Sequence, residues 1–163
     1  MRKKEGERKR INFSFSGGLG EKIDALIAFK EVTITQVFRV ALDLIERISL
    51  EEKKGARIII RDPLAQEEDC ELTALLAKLN EKNKNKQKGK KTRVNLVFSL
   101  EFWKRIDAIK EGKKTTATRL FTKAIELMHA LVEAKKQNKE IISHNPFGQD
   151  KNRVLIFVHL KNY

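Results

Sequence analysis

An internal repeat is the feature that most constrains how this chain can fold. A shift of 83 residues aligns 10–63 with 93–146 without a gap, and 17 of the 54 aligned positions are identical. The repeat opens on a strand-like phrase, RINFSFS in the first copy and RVNLVFS in the second. A repeat of this kind indicates one supersecondary unit present twice. A chain of 163 residues has room for two such units that share one core.

Each copy begins with the period-two pattern of a half-buried strand. In both strands apolar residues alternate with an outward set, which is Arg10, Asn12 and Ser14 in the first copy and Arg93, Asn95 and Val97 in the second. Helical spacing follows in each copy, first in a short amphipathic helix and then in a longer helix that starts at Thr33 or Thr116. The spacing from Thr33 to Gln36 predicts a capping box, and Gly17, Gly18 and Gly20 predict a weak start for the first helix.

The apolar face of the longer helix is too wide to be buried on one side only. A single copy has no second layer to cover it, so we expect the two copies to fold around each other. Antiparallel pairing of 10–16 with 93–99 would bury both apolar strand faces on the helices and leave both polar faces outward. The predicted fold class is α+β, mainly α, with an intrachain two-stranded ribbon.

Further strand-like runs end each copy, at 57–63 and 140–146, and another lies at 153–160. The expected organisation is a basic arm at 1–9, copy one at 10–63, a linker at 64–92, copy two at 93–146 and a final strand within 147–163. The linker contains a candidate short helix followed by a basic, low-complexity tail. In copy two, EGKK at 111–114 predicts the turn between the helices.

Positive charge is concentrated next to the two strands. The net charge is +13, and residues 2–10 (+4) and 78–93 (+7) together contribute eleven of these charges. Each basic segment ends on the arginine that opens a strand. This placement favours a polyanionic partner.

Other functional classes receive little support from the sequence. Cys70 is the single cysteine, and His129, His144 and His159 lack the spacing of metal ligands, so we expect no catalytic site, no metal and no cofactor. A chain with a single cysteine is typical of a reducing compartment. No apolar run in the sequence is long enough to span a bilayer. We therefore expect a cytoplasmic protein that is neither an enzyme nor a membrane protein.

The strand followed by two amphipathic helices resembles the ribbon-helix-helix family of DNA-binding proteins, the class of the Arc and MetJ repressors. The resemblance covers about residues 10–53 and 93–136, somewhat over half of the chain. Most members of that family are homodimers, so two copies in one chain imply an intrachain pseudo-dimer. The implied function is sequence-specific binding to double-stranded DNA, most simply by a transcriptional repressor or regulator.

The resemblance also implies roles for individual residues. The ribbon residues that would read bases in the major groove are Arg10, Asn12, Ser14, Arg93, Asn95 and Val97. The residues that would contact phosphate are Arg8, Lys9, Thr33, Thr35, Lys90, Lys91, Thr116 and Thr118. Because Ser14 and Val97 are equivalent yet chemically different, the two halves are expected to read unequal half-sites.

Simpler interpretations of the same residues stay open from the sequence. The polar strand face can be a solvated surface, Thr33 and Thr116 can serve only as helix caps, and the basic segments can be solubilising tails. Alternative functions are an antitoxin that binds a toxin partner and regulates its own operon, or an architectural or RNA-binding protein without base readout. Self-association is a further expectation, with the strand at 153–160 as its candidate surface.

Overall fold

The computed structural model describes residues 6–15, 17–64, 70–72, 91–148 and 152–154. Across these residues the protein is α+β and mainly helical with small antiparallel sheets, which confirms the predicted class. The described helices are α1 Gly17–Lys30, α2 Ile34–Lys53, α3 Leu100–Lys113 and α4 Ala117–Lys136. The described strands are β1 Arg8–Phe15, β2 Arg57–Arg61, β3 Cys70–Glu71, β4 Thr92–Ser99, β5 Glu140–His144 and β6 Asn152–Val154.

The backbone follows the sequence repeat closely. At the shift of 83 residues α1 coincides with α3, α2 with α4, and β2 with β5. The residues with positive φ also coincide, since Glu31 (52°) corresponds to Lys114 (49°) and Gly55 (87°) to Asn138 (57°). The two copies therefore share local conformation at their turns as well as in their helices.

Several predicted boundaries differ from the observed ones. β1 begins at Arg8, so Arg8 and Lys9 belong to the strand and not to the arm, because pairing with β4 extends it. The predicted turn at 111–114 was wrong in detail: α3 continues through Gly112, and the chain turns at Lys114. α1 begins at Gly17 despite its glycines, anchored by the buried side chains of Leu19 and Ile23.

The linker and the C-terminal segment each contribute a short strand. β3, within the predicted linker, pairs with β2, and β6 pairs antiparallel with β5. The candidate linker helix and most of the run at 153–160 lie outside the described residues. The linker is therefore not only a connection between the copies, since its residues 70 and 71 extend a sheet.

Each sheet has a local two-fold relation between the copies. β1 and β4 form an antiparallel ribbon in which Asn12 lies opposite its own equivalent, Asn95. The other sheet has the strand order β3-β2-β5-β6, and there Ile59 lies opposite its equivalent, Ile142. In both sheets the central pair therefore joins the same position of the two copies.

A cluster of aromatic rings joins the ribbon to the long helices. Phe38 of α2 and its equivalent Phe121 of α4 meet edge to face at 5.0 Å between ring centroids. Phe13 of β1 lies 5.2 Å from Phe121, and Phe15 lies 5.8 Å from Phe38. All four side chains are buried, so residues of both copies form one hydrophobic core.

The four-stranded sheet lies at the C-terminal end of α2. Ser143 of β5 donates a hydrogen bond from Oγ to Glu51 Oε2 at 2.8 Å. Asn145 donates from Nδ2 to the carbonyl of Lys54 at 3.1 Å. A helix of 20 residues is about 30 Å long, so this sheet is far from Thr33 at the other end of α2.

Candidate nucleic-acid interface

The outward face of the β1–β4 ribbon is polar and accessible. On β1 the exposed residues at alternate positions are Arg8, Arg10, Asn12 and Ser14. On β4 they are Arg93 and Asn95, whereas Val97 is half-buried. The other face of both strands carries the buried phenylalanines of the core. The base-reading residues predicted from the sequence therefore lie together on one surface.

The register gives this surface a defined arrangement. Asn12 and Asn95 form the central cross-strand pair. Arg10 lies opposite Val97 on one side of it, and Arg93 lies opposite Ser14 on the other. Directly opposed residues in an antiparallel pair are close enough to interact. The two equivalent arginines consequently have different neighbours, a hydroxyl beside Arg93 and a branched alkyl group beside Arg10.

The ribbon face is positively charged. Across the eight paired positions of this face the two strands contribute three arginines and no carboxylate. The helix side holds the ribbon in place: Trp103 donates from Nε1 to the Lys9 carbonyl at 3.3 Å, and its ring stacks on Phe13 at 6.3 Å. A strand pair with three arginines and no carboxylate at the paired positions of one face is suited to an anionic ligand.

Arg8 and Lys9, two predicted phosphate contacts, lie on opposite faces of β1. Lys9 is four residues before the buried Phe13 and so lies on the same face of β1, and its Nζ lies 5.6 Å from the centroid of the Trp103 ring. Its side chain therefore lies on the helix side of the ribbon, away from the face that carries Asn12. Arg8 lies on the outward face, opposite Ser99, so it belongs with the ribbon surface and not with a separate arm.

The N-terminus of α2 is capped by the side chains of Thr33 and Gln36. Gln36 donates its backbone N–H to Thr33 Oγ1 at 3.3 Å, and Thr33 donates its N–H to Gln36 Oε1 at 2.9 Å. This confirms the predicted capping box. Thr35, the neighbouring predicted phosphate contact, is half-buried.

The N-terminus of α4 differs in charge from that of α2. Thr116 caps it by accepting the N–H of Arg119 at 3.3 Å, and Thr118 is exposed. Arg119 occupies the position of Gln36, and a guanidinium cannot accept a hydrogen bond. This helix end therefore carries an exposed arginine in place of a reciprocal cap, which makes it more attractive to an anion.

A polar cleft of about 370 Å³ connects the start of α2 to one end of the ribbon. Residues of α2, of the end of β4 and of the start of α3 line it: Gln36, Arg39, Asp43, Ser99, Glu101, Phe102 and Arg105. Arg39 is exposed, and its guanidinium lies 5.7 Å from the centroid of the Phe102 ring. Ser99 pairs with Arg8, so Arg8 and Arg39 lie on the same side of the molecule. Sequence reasoning missed Arg39, whose equivalent in the second copy is Thr122.

Arg105, which also lines this cleft, forms ion pairs within the protein. Its Nη2 lies 2.7 Å from Asp43 Oδ1 and 2.8 Å from Glu46 Oε2, which links α3 to α2. The hydrogen bonds that Arg105 donates to Glu46 and to Asp43 raise the pKa of Arg105 further above its ordinary value. This charge is neutralised within the protein and is a structural link between helices.

The basic segments lie mainly beyond the described residues. Lys91 is exposed and directly precedes β4, whereas Lys90 lies outside the described part of the chain. Lys91 is equivalent to Arg8, so the outward face continues with a cation at both ends of the ribbon. The predicted phosphate contacts of these residues stay predictions.

Two other kinds of site are absent from the described ranges. No group of three or more His, Cys, Asp or Glu side chains there is placed to hold a metal ion. None of the described helices is both long and apolar enough for a membrane crossing. Cys70 is a free thiol in β3 whose Sγ donates to the Glu71 carbonyl at 3.7 Å.

Comparison with known proteins gives no relative. No protein-family model, curated protein or solved structure matches the chain significantly. The resemblance to the ribbon-helix-helix family therefore stays a prediction made from the residues.

Proposed function

We propose that this chain is a tandem ribbon-helix-helix protein whose two copies form an intrachain pseudo-dimer that binds double-stranded DNA in a sequence-specific way. The β1–β4 ribbon enters the major groove, which admits a two-stranded β-ribbon. The observation that carries the proposal is the exposed ribbon face, cationic and centred on the Asn12–Asn95 pair. A regulator that occupies an operator is the biological role most consistent with such a face.

Base readout follows from the chemistry of the four central side chains. Asn12 and Asn95 can each form hydrogen bonds with N6 and N7 of adenine. Arg10 and Arg93 can each donate hydrogen bonds to O6 and N7 of guanine. Each good bidentate contact contributes roughly 1–3 kcal/mol of discrimination against a wrong base. Because the two asparagines are directly opposed, they address the centre of the site, and the arginines address its two sides.

Phosphate contacts position the ribbon without carrying sequence information. Arg8 and Lys91 extend the cationic face to the groove edges, and Arg39 and Arg119 flank the N-termini of the long helices. The two ends are not equivalent, since α2 has a closed capping box whereas α4 has Arg119 near its cap. Phosphate affinity is therefore supplied unequally on the two sides.

Unequal half-sites are the expected consequence of the ribbon pairs. Arg93 has the Ser14 hydroxyl beside it, which can add a hydrogen bond to a base or phosphate. Arg10 has Val97, which can only pack, for instance on a thymine methyl group. A homodimer must read a symmetric site, but one chain with two different halves is free of that constraint.

Selection of binding sites from random duplex DNA tests the proposal. Wild type is expected to enrich a defined, non-palindromic sequence, and the Asn12→Ala/Asn95→Ala variant is expected to lose preference at the central positions while keeping salt-dependent binding. Both asparagines are exposed, so the variant should fold normally, as circular dichroism can check. Equal recovery of all sequences by wild type, or tighter binding to RNA than to duplex DNA, would contradict the proposal.

A further inference from the structure

The two corners at which a short helix leads into a long helix differ in charge. Around the turn from α3 to α4, three exposed cations lie within ten residues of the chain: Lys114, Arg119 and Lys123. The residues at the equivalent positions around the turn from α1 to α2 are Glu31, Gln36 and Val40. These three positions therefore carry a charge of +3 in the second copy and −1 in the first. The three cations are here named the basic corner.

The corner of the first copy is apolar where the basic corner is polar. Val40 is 3% exposed and belongs to the hydrophobic core, whereas Lys123 in its place is exposed. Three more apolar side chains of the first corner pack against the core: Ile27, Val32 and Ile34. Their equivalents in the second copy are Lys110, Thr115 and Ala117. The first corner therefore stabilises the core, and the second presents charge to the solvent.

The charge of the basic corner is not neutralised by ion pairs among the described residues. Lys110 lies 3.6 Å from Asp107, but no described carboxylate lies within ion-pair distance of the three cations of the corner. Glu111 is the one carboxylate between 110 and 123, and the net charge of that stretch is +4. The equivalent stretch 27–40, which includes Arg39, has a net charge of +1. An exposed surface with this excess of positive charge favours an anionic partner.

The basic corner lies beside one end of the ribbon. The cleft lined by Gln36 and Ser99 places the start of α2 at the end where Ser99 pairs with Arg8. The two-fold relation that sets Asn12 opposite Asn95 then assigns the start of α4 to the other end, where Arg93 lies. The start of the neighbouring short helix changes the balance little, since 17–24 has a net charge of −1 and 100–107 of zero. Positive charge beside the ribbon is therefore greater on the Arg93 side.

We propose that the basic corner binds the DNA backbone, so that phosphate contacts extend further from the centre of the site on the Arg93 side than on the Arg10 side. The proposal rests on the proposed DNA-binding function and names the surface that makes phosphate binding one-sided. Lys114, Arg119 and Lys123 supply affinity that does not depend on base sequence. On the Arg10 side, Glu31 repels a phosphate group. Base readout is thereby joined to a backbone contact that fixes the orientation of the chain on DNA.

A double variant, Lys114→Glu/Arg119→Gln, gives the basic corner the residues of the first copy. The fold accommodates both changes: Glu31 has a positive φ of 52° where Lys114 has 49°, and a glutamine at 119 can complete a capping box with Thr116. Its helix content and urea midpoint are therefore expected to match those of wild type. The matched control, Lys139→Glu/Lys135→Gln, makes the same charge change at the other end of α4, about 24 Å from Arg119.

The salt dependence of binding to a random DNA duplex measures the phosphate contacts of the corner. Each contact contributes about 0.9 to the slope of log affinity against log salt concentration. Loss of two contacts is expected to reduce the slope of the double variant by about 1.8. Between 50 and 200 mM salt, wild type is then expected to lose about tenfold more affinity than the double variant does. The control is expected to keep the slope of wild type.

Ethylation interference on the selected duplex determines the side of the contact. In wild type, interfering phosphates are expected to extend further on the side where Arg93→Ala relaxes base preference, and the double variant is expected to lose the outer ones. A wild-type pattern that is symmetric about the centre, or equal slopes for the double variant and the control, would overturn the proposal. So would a double variant that keeps its affinity for duplex DNA but no longer binds phosphatidylserine vesicles, since the corner would then bind a membrane surface.

Failure of base readout is distinguishable from failure of the corner. If selection enriches no sequence, the proposed sequence-specific function is wrong, whereas the slopes measured on random duplex still show whether the corner binds phosphate. If a sequence is enriched but the slope of the double variant equals that of wild type, base readout stands and the corner is not a backbone contact.

Discussion

Replacing Phe121 by alanine removes the ring at which both copies of the repeat meet. Phe121 is 0% exposed and lies 5.2 Å from Phe13, 5.0 Å from Phe38 and 6.1 Å from Phe98, so three elements besides its own helix lose a partner. Removal of a buried phenylalanine costs about 3–5 kcal/mol. That is a large share of the roughly 5–15 kcal/mol by which a domain is stable.

Urea denaturation measures this loss directly. With a slope of about 2 kcal/mol per molar, the midpoint of Phe121→Ala is expected to fall by roughly 2 M. Fluorescence of Trp103, which stacks on Phe13, reports the core, and circular dichroism reports the helices. Because residues of both copies share that core, the two signals are expected to change together. Phe147→Ala, at an exposed position, is expected to stay within about 0.5 kcal/mol of wild type.

A loss below about 1 kcal/mol for Phe121→Ala would contradict a core shared between the copies. Two separate unfolding transitions in wild type would contradict it as well, since they would mean that each copy folds by itself. A double-mutant cycle that combines Phe121→Ala with Phe38→Ala adds a sharper test. The two rings are expected to be coupled by about 0.5–3 kcal/mol, as neighbouring core residues are.

Three further outcomes are expected. Burial lowers the pKa of His129 below its ordinary value, so the unfolded chain takes up a proton more readily than the folded protein does. The free energy of unfolding is therefore expected to fall as the pH drops below about 6.5. In urea titrations at several pH values, His129→Gln is expected to flatten this dependence. Lys91→Ala is expected to weaken binding to all DNA duplexes alike and to reduce the slope of log affinity against log salt concentration by about 0.9. Arg93→Ala is expected to relax the sequence preference at a single base pair. Thr33→Ala breaks the capping box and is expected to lower the free energy of unfolding by about 1 kcal/mol in the same urea assay. An unchanged free energy of unfolding would show that the cap does not stabilise the protein.

Periodicity and the repeat predicted the main elements, because the buried faces of strands and helices leave a direct pattern in sequence. Alternation placed Asn12 and Asn95 on the outward face, and the repeat indicated that these strands would pair. The pairing itself then fixed the register, with the two asparagines opposite each other. These features depend on local sequence and on a contact between equivalent segments, so they were within reach of sequence reasoning.

Features that depend on tertiary contacts were not predictable in the same way. β1 starts at Arg8 because β4 is present to pair with it, and no apolar alternation marks that start. Two residues, as in β3, are too few to show a period. The contact of Arg39 with the Phe102 ring joins two residues that are 63 positions apart in the chain.

Methylation interference on the selected duplex tests the central claim most directly, because dimethyl sulfate modifies guanine N7 in the major groove and adenine N3 in the minor groove. If the ribbon reads bases through Arg10 and Arg93, guanine N7 methylation on either side of the site centre is expected to block binding, and adenine N3 methylation there is expected to have little effect. Interference confined to adenine N3, or binding insensitive to both modifications, would contradict recognition by the ribbon in the major groove.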